Sequence, residues 1–370
     1  MDTDCLDYEI LWEDLTIGEE IGQGKAFFET LLNLILPALP GKSRISVNHS
    51  EWTSGLNINL FRILAGQDLG FEDFTPPYLA PTTSGSVVLK GVNYASGGGG
   101  ILNHTGKIFG GRINFDAQID NFANTRQDII SSIGLSSALE LFSKSLFSVT
   151  MGSNDFINNY LTPVLSAPVQ KLVSPEQFVA TMISRYRLQL TRLYNLGARK
   201  VVVVNVGPIG CIPYQRDTNP AAGDSCVELP NQLAKSFNTQ LKSLVAELST
   251  TLEGSKFVYA DVYNIVQDIL DSYTTYGFEN QNSACCYSAG RFGGLIPCGP
   301  PSKVCLDRSK YVFWDAYHPP PVKKVYTRRT KGGLVGDSGP IGMEGKELGP
   351  KTGPSGESVL AGEREADVGS

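Results

Sequence analysis

Three short apolar runs, each ending at a small or acidic residue, punctuate the middle of the chain. Residues 146–151 stop at Gly152, the valine-rich stretch 200–206 stops at Gly207-Pro208, and residues 256–260 stop at Asp261. Runs of this length without alternation suit strands buried on both faces, as in a parallel sheet. Between them, residues 176–196 and 229–252 carry apolar side chains at helical spacing, with Leu233, Phe237, Leu241, Leu244 and Leu248 forming one stripe. Strand, helix, strand, helix predicts a doubly wound α/β sandwich. In such sheets chemistry gathers beyond the carboxyl ends of the strands. Residues 1–55 hold no steady pattern. Residues 321–370 are rich in Gly, Lys and Glu with few large apolar side chains, too few to offset the entropy of ordering, and are predicted to be disordered. The expected organisation is therefore an irregular N-terminal segment (1–55), a globular domain (56–320) and a disordered tail (321–370).

Composition narrows the function. A hydrophobic fraction of 41% supports a real core in a chain of 370 residues, and a formal net charge of −6 argues against a dedicated nucleic-acid binder. No apolar run approaches the roughly 18 residues that span a bilayer. Seven cysteines and three histidines are present, with no paired Cys-x-x-Cys spacing, so a metal site has few ligands to draw on. Six of the cysteines (Cys211, Cys226, Cys285, Cys286, Cys298 and Cys305) sit in loops rich in Gly, Pro and Ser, where bridges would limit chain entropy. Loop proximity suggests Cys211–Cys226 and Cys298–Cys305. Disulfides, and the acceptor triplets beginning at Asn48 and Asn103, fit an oxidising compartment. The opening Met1-Asp2-Thr3-Asp4-Cys5 is acidic and polar, unlike a secretory leader.

Three clusters carry candidate chemistry. The stretch Gly91-Val92-Asn93-Tyr94-Ala95-Ser96-Gly97-Gly98-Gly99-Gly100 follows a strand-like run, and its glycines would let backbone N–H groups face a ligand. It reads as an oxyanion-hole donor, a phosphate cradle without the Lys-Ser/Thr ending of a P-loop, or a plain glycine turn. In Gly152-Ser153-Asn154-Asp155 the side-chain amide of Asn154 could donate to charge developing on a carbonyl oxygen. Alone, the same pair reads as a helix cap or turn. In Phe313-Trp314-Asp315-Ala316-Tyr317-His318-Pro319, a carboxylate three residues before an imidazole can fix its tautomer while the other ring nitrogen takes a proton from a hydroxyl.

Together these stretches resemble the second, third and fifth blocks of plant GDSL esterase/lipases, serine hydrolases of the SGNH kind, in the right order. Phe74-Thr75-Pro76-Pro77-Tyr78-Leu79-Ala80-Pro81, Gly207-Pro208-Ile209-Gly210-Cys211-Ile212-Pro213 and Ala284-Cys285-Cys286 agree with the same family, and the resemblance spans roughly residues 59 to 319. It implies a three-layer α/β/α, flavodoxin-like fold with a mostly parallel sheet. It also implies hydrolysis of carboxylic esters of lipids or short acyl chains through an acyl-enzyme, by a secreted monomer needing no cofactor. Gly97 and Asn154 then correspond to oxyanion-hole donors, Asp315 to the orienting acid and His318 to the general base.

The family's nucleophile lies in a Gly-Asp-Ser-Leu block near the N-terminus, and no such block precedes residue 59 here. Gly-Asp-Ser occurs at 223–225 and 336–338, in a polar loop and in the tail, and Ser50 and Ser54 are the nearest upstream serines. No nucleophile is assigned. The replaced region, Tyr8-Glu9-Ile10-Leu11-Trp12 through Gly22-Gln23-Gly24, resembles the opening of a Raf-like plant protein kinase domain, without the lysine and catalytic loops that would make a kinase. A join of unrelated segments accounts for this most economically. Beyond His318, Pro319-Pro320-Pro321 replaces the family's closing helix. The first strand is expected to be lost or replaced, in part by residues 31–36 or 44–48. The alternative to an ester hydrolase is a non-catalytic remnant, or chimera, that at most binds an acyl or glycan ligand.

Overall fold

The computed structural model describes residues 75–107, 111–162, 173–299 and 302–319, together with the backbone of Val47–Asn48. Strand β1 (Val47–Asn48) is followed by helices α1 (Phe115–Ile133) and α2 (Leu135–Lys144), then by β2 (Leu146–Thr150). Helix α3 (Pro175–Asn195) leads to β3 (Lys200–Val204), and the short α4 (Pro213–Thr218) precedes α5 (Glu228–Thr251). Next come β4 (Lys256–Ala260), α6 (Val262–Asp271), β5 (Asn280–Ala284), β6 (Cys286–Tyr287), β7 (Lys303–Val304) and β8 (Tyr311–Phe313). The fold is α/β.

The main sheet runs β1-β2-β3-β4, every pair parallel, so all four carboxyl ends lie along one edge. β3 sits between β2 and β4, and the two faces of its valine run enter different clusters. Val201 and Val203 join the large core with residues of α1, α3 and α5. Val202 and Val204 pack with Val258 and Ala260 opposite. Burial on both faces is why the run shows no polar alternation. The first-strand slot is taken by Val47–Asn48, beside Val149 and Thr150 of β2. The kinase-like stretch, residues 31–36 and the tail lie outside the described residues.

Helix starts follow their caps. Asn114 accepts from Ala117 N at the head of α1, and Ser174 and Gln177 form a capping box at α3 with Pro175 in the first turn. One expectation fails locally. The segment before the glycine cluster is a 3₁₀ helix, Gly85–Lys90, rather than a strand, and the stretch after it makes a single parallel bridge, Pro77↔Asn93. The apolar residues Val87, Val88 and Leu89 look strand-like, but the turn set by Gly85, whose φ is +61°, coils them instead.

Helix α5 does more than cover the sheet. Its buried face adds Asn231 and Asn238 to the leucine stripe. Asn238 Nδ2 donates to Val206 O at 2.7 Å while its Oδ1 accepts from Val206 N at 3.0 Å, and Asn231 Oδ1 accepts from Gly210 N at 2.7 Å. The chain leaving β3 is thereby held to the helix by side-chain amides standing in for a missing strand neighbour. Replacing Asn238 with Leu strands a buried N–H and a buried C=O, and is expected to cost about 2–4 kcal/mol. Asn238→Asp, which still accepts from Val206 N but sets a buried carboxylate against Val206 O, should lose at least as much, and Thr239→Ala on the exposed side about 0.5 kcal/mol or less. Denaturant unfolding of the three variants checks the order.

Candidate active site

Beyond the carboxyl end of β2 the chain turns at Gly152, where φ is +122° and an added Cβ would meet a Val206 methyl at 2.9 Å. A short helical turn, Ser153–Asp155, then runs into a π-helical turn, Phe156–Tyr160. Asn154 Nδ2 donates to Gly99 O at 2.9 Å, and Asn158 Nδ2 donates to Asn154 Oδ1 at 2.9 Å. These two bonds fix which way the Asn154 amide faces and leave its second N–H to donate. The N–H of Gly97, in the same loop, has no hydrogen-bond partner among the described residues.

Asp155 locks the glycine loop in place. Its carboxylate is fully buried and accepts from Ile101 N and Leu102 N, each at 2.9 Å, and from the Thr105 hydroxyl at 2.7 Å. No cation pairs with it among the described residues. Burial pushes its carboxyl up to about 6, against the pull of the bonds from Leu102, Thr105 and Ile101. A Cβ on Gly100 would fall 2.6 Å from its Oδ2, so this glycine makes room for the carboxylate rather than for a ligand.

The second half of the site follows β8. His318 Nδ1 lies 3.0 Å from both Asp315 carboxylate oxygens, and Asp315 Oδ1 also accepts from Tyr317 N at 2.8 Å and His318 N at 2.7 Å. Asp315 is buried, whereas the imidazole is partly exposed. Burial alone would raise the Asp315 carboxyl, but the bond and charge of His318 and the two backbone N–H groups outweigh it and hold it below the usual value. With Nδ1 committed to Asp315, Nε2 is the nitrogen left to take a proton. The loop is anchored by Trp314 N donating to His318 O at 2.8 Å and by Tyr214 N donating to Ala316 O at 3.0 Å. Tyr214 opens α4, just after the chain leaves β3. Asn154 thus lies beyond the carboxyl end of β2, whereas the Asp315–His318 loop follows β8 of the two-stranded sheet and is tied by Tyr214 to the chain beyond β3.

The disulfides need one correction. Cys211 pairs with Cys226, but Cys298 does not pair with Cys305; the bridges are Cys285–Cys305 and Cys286–Cys298. Adjacent cysteines in extended chain point to opposite sides. β6 faces β7 with Cys286 opposite Val304, and Cys305 N donates to Cys285 O at 2.8 Å, which brings Cys305 to Cys285. Sequence proximity of Cys298 and Cys305 misled because the hairpin is paired across, not within, that loop. Among the described residues no cluster of three His, Cys, Asp or Glu could hold a metal ion, and no helix is long and apolar enough to cross a membrane.

The model of the GDSL-like lipase/acylhydrolase family matches residues 55–323. The chain belongs to that family. It is 62% identical over 278 residues to the GDSL esterase/lipase At4g16230 of Arabidopsis thaliana, covering 75% of this chain and 76% of the relative. To the GDSL esterase/lipase At3g50400 of the same plant it is 50% identical over 258 residues, 69% of each chain. The supports of these loops that sequence reasoning missed are Asp155, Asn158 and Thr105. Thr105 was visible only as part of a glycosylation triplet, and Asp155 as a turn residue beside the expected donor Asn154. Of the four Gly-Asp-Ser or upstream serines, Ser225 is described: it is exposed beside the Cys211–Cys226 bridge, and its N–H donates to Ala222 O. Ser50, Ser54 and Ser338 lie outside the described residues.

The two buried carboxylates predict opposite pH behaviour. Asp315, held low, contributes stability that is present above its unfolded value near 4 and is lost as acid protonates it. Asp155, raised to about 6, binds its proton in the folded state first, so its contribution grows as pH falls from 7 toward 4. Asp155→Asn should destabilise the fold, because one oxygen facing donors becomes a donor itself, and the gap to wild type should be wider at pH 4.5 than at pH 7. Urea midpoints at the two pH values measure it; a gap that narrows in acid contradicts the assignment.

Proposed function

We propose that this chain carries the base, the orienting acid and the oxyanion donors of a serine-type carboxylic-ester hydrolase, acting on lipid or short acyl esters without metal or organic cofactor. The observation that carries the reading is the buried Asp315 carboxylate gripping His318 Nδ1 through both oxygens at 3.0 Å. In the reaction Nε2 of His318 accepts the proton of a serine hydroxyl as its oxygen bonds to the ester carbonyl carbon. Asn154 Nδ2 and Gly97 N donate to the carbonyl oxygen as charge builds on it. The carbon–oxygen bond to the alcohol then breaks, the alcohol leaves with the proton from His318, and water repeats the cycle to release the acid. Three disulfides support a secreted protein, and we assign it as a monomer.

The nucleophile is the missing part. No Gly-Asp-Ser precedes the matched region, and the upstream copy at 223–225 is an exposed turn. We therefore expect hydrolysis of p-nitrophenyl butyrate no faster than the roughly 10³–10⁴-fold over water that an oxyanion hole and cleft alone can leave, and unaffected by His318→Ala. A second reading is favoured by the pairing of Val47–Asn48 with β2, since Ser50 follows that strand by two positions in the sequence. Turnover at ordinary enzyme rates, abolished by both His318→Ala and Ser50→Ala, would establish Ser50 as the nucleophile and displace the first expectation. Acyl-ligand binding without turnover would mark a pseudoenzyme.

A further inference from the structure

Two Asn-x-Ser/Thr triplets, at Asn48 and Asn103, take no part in the ester chemistry. Such a triplet accepts N-linked oligosaccharide where the asparagine lies open to solvent in a secreted chain. The three disulfides support the oxidising compartment in which that transfer takes place. Asn103-His104-Thr105 crosses the turn that leaves the glycine loop. Asn103 is exposed, and its side-chain amide enters no hydrogen bond among the described residues. Its backbone is fixed nonetheless. Arg112 Nη2 donates to Asn103 O at 2.6 Å, Arg112 Nε donates to Thr105 O at 2.7 Å, and Thr105 N donates to Leu102 O at 3.1 Å. A bulky hydrated group on Asn103 Nδ2 would thus be carried by a held turn and would displace no hydrogen bond among the described residues.

The third position of the triplet behaves in the opposite way. Thr105 is wholly buried, and its hydroxyl donates to Asp155 Oδ1 at 2.7 Å. The acceptor signal requires that hydroxyl as well as the amide. The folded chain therefore displays one half of the signal at Asn103 and hides the other half behind the carboxylate. The residue that hides it lies 50 positions downstream. At about 5–20 residues synthesised per second, Asp155 follows Thr105 by about 3–10 s, and until then nothing can take the hydroxyl out of reach in this way. One threonine can thus serve as part of an acceptor in the nascent chain and as a buried donor in the finished one.

We propose that Asn103 carries an N-linked oligosaccharide, added during synthesis before Asp155 captures the Thr105 hydroxyl. In the transfer, Asn103 Nδ2 bonds to the anomeric carbon of an oligosaccharide carried on a polyprenyl diphosphate. The carbon–oxygen bond to the diphosphate breaks, the diphosphate leaves with the electron pair, and the proton lost by the amide goes to it. Neither Asp315 nor His318 enters this step, so the inference stands or falls apart from the ester-hydrolase reading.

The full chain, with a secretory leader fused ahead of Met1, is translated in the presence of endoplasmic-reticulum microsomes. Only molecules shielded from added protease are scored. Asn48→Gln isolates the site and should show one step in electrophoretic mobility that peptide-N-glycosidase removes. Adding Asn103→Gln should abolish the step, whereas adding Thr105→Ser, which keeps a hydroxyl, should retain it. Asn103→Gln should keep the urea midpoint of the unglycosylated wild type, because the exposed amide holds nothing in place. The order of events is tested on the Asn48→Gln chain purified without glycan and offered the transferase with its lipid-linked donor. The folded, oxidised form should accept at least about tenfold less oligosaccharide than the same chain reduced and alkylated, in which the brace is open. A shielded Asn48→Gln chain without a glycosidase-sensitive step overturns the assignment, as does a step that survives Asn103→Gln. Equal acceptance by the folded form overturns the order of events.

Discussion

A single carboxylate without a counter-ion among the described residues organises this protein. Asp155 is taken wholly out of water and is repaid by three donors, two of them backbone N–H groups more than fifty residues away in the chain. Such a group is tolerable in an apolar interior only while all of its donors stay in place. The glycine loop therefore cannot drift from the end of β2 without exposing an unmet charge. That constraint accounts for the small residue at 100, for the buried hydroxyl of Thr105 and for the approach of Asn154 to Gly99. The donor geometry of the site is inherited from the brace behind it.

The same logic extends to the strand next door. The backbone leaving β3 has no sheet partner beyond Asn205, and two asparagines of α5 supply the hydrogen bonds instead. Tyr214, a few residues on, then holds the turn between Asp315 and His318 through Ala316 O. Distance along the chain is bridged by amides and carboxylates at fixed points, and each sits at the carboxyl edge of the parallel sheet. An edge of that kind leaves a row of strand ends open, and here polar side chains close it.

Much of this could be read from residues alone, and the reasons it could differ from element to element. The strands β2, β3 and β4 and the helices α3 and α5 were legible because burial on two faces, or on one stripe, imposes a pattern that composition cannot disguise. The Asp-x-x-His pair was legible because both partners are close in sequence. Asn231 and Asn238 were not, since a polar residue on an apolar stripe looks like a defect until its backbone partner is known. Helix α1 is marked by Asn114, Phe115, Ile119 and Phe122, yet its polar remainder kept the pattern faint. The cysteine pairing failed for a topological reason: adjacent residues in extended chain diverge, and only the ladder reveals to which side each goes.

The proposed hydrolase divides along a chemical line. Asp315, His318 and Asn154, to which the proposed reaction gives the acid, the base and an oxyanion donor, take their hydrogen bonds among the described residues from within 75–319. Val47 pairs with Val149 and Asn48 with Thr150, so the place beside β2 is filled by residues upstream of the stretch that the family model matches, 55–323. Backbone hydrogen bonding is indifferent to side chains and can recruit a substitute strand; the attack on an ester is not, and needs a hydroxyl within reach of one imidazole nitrogen.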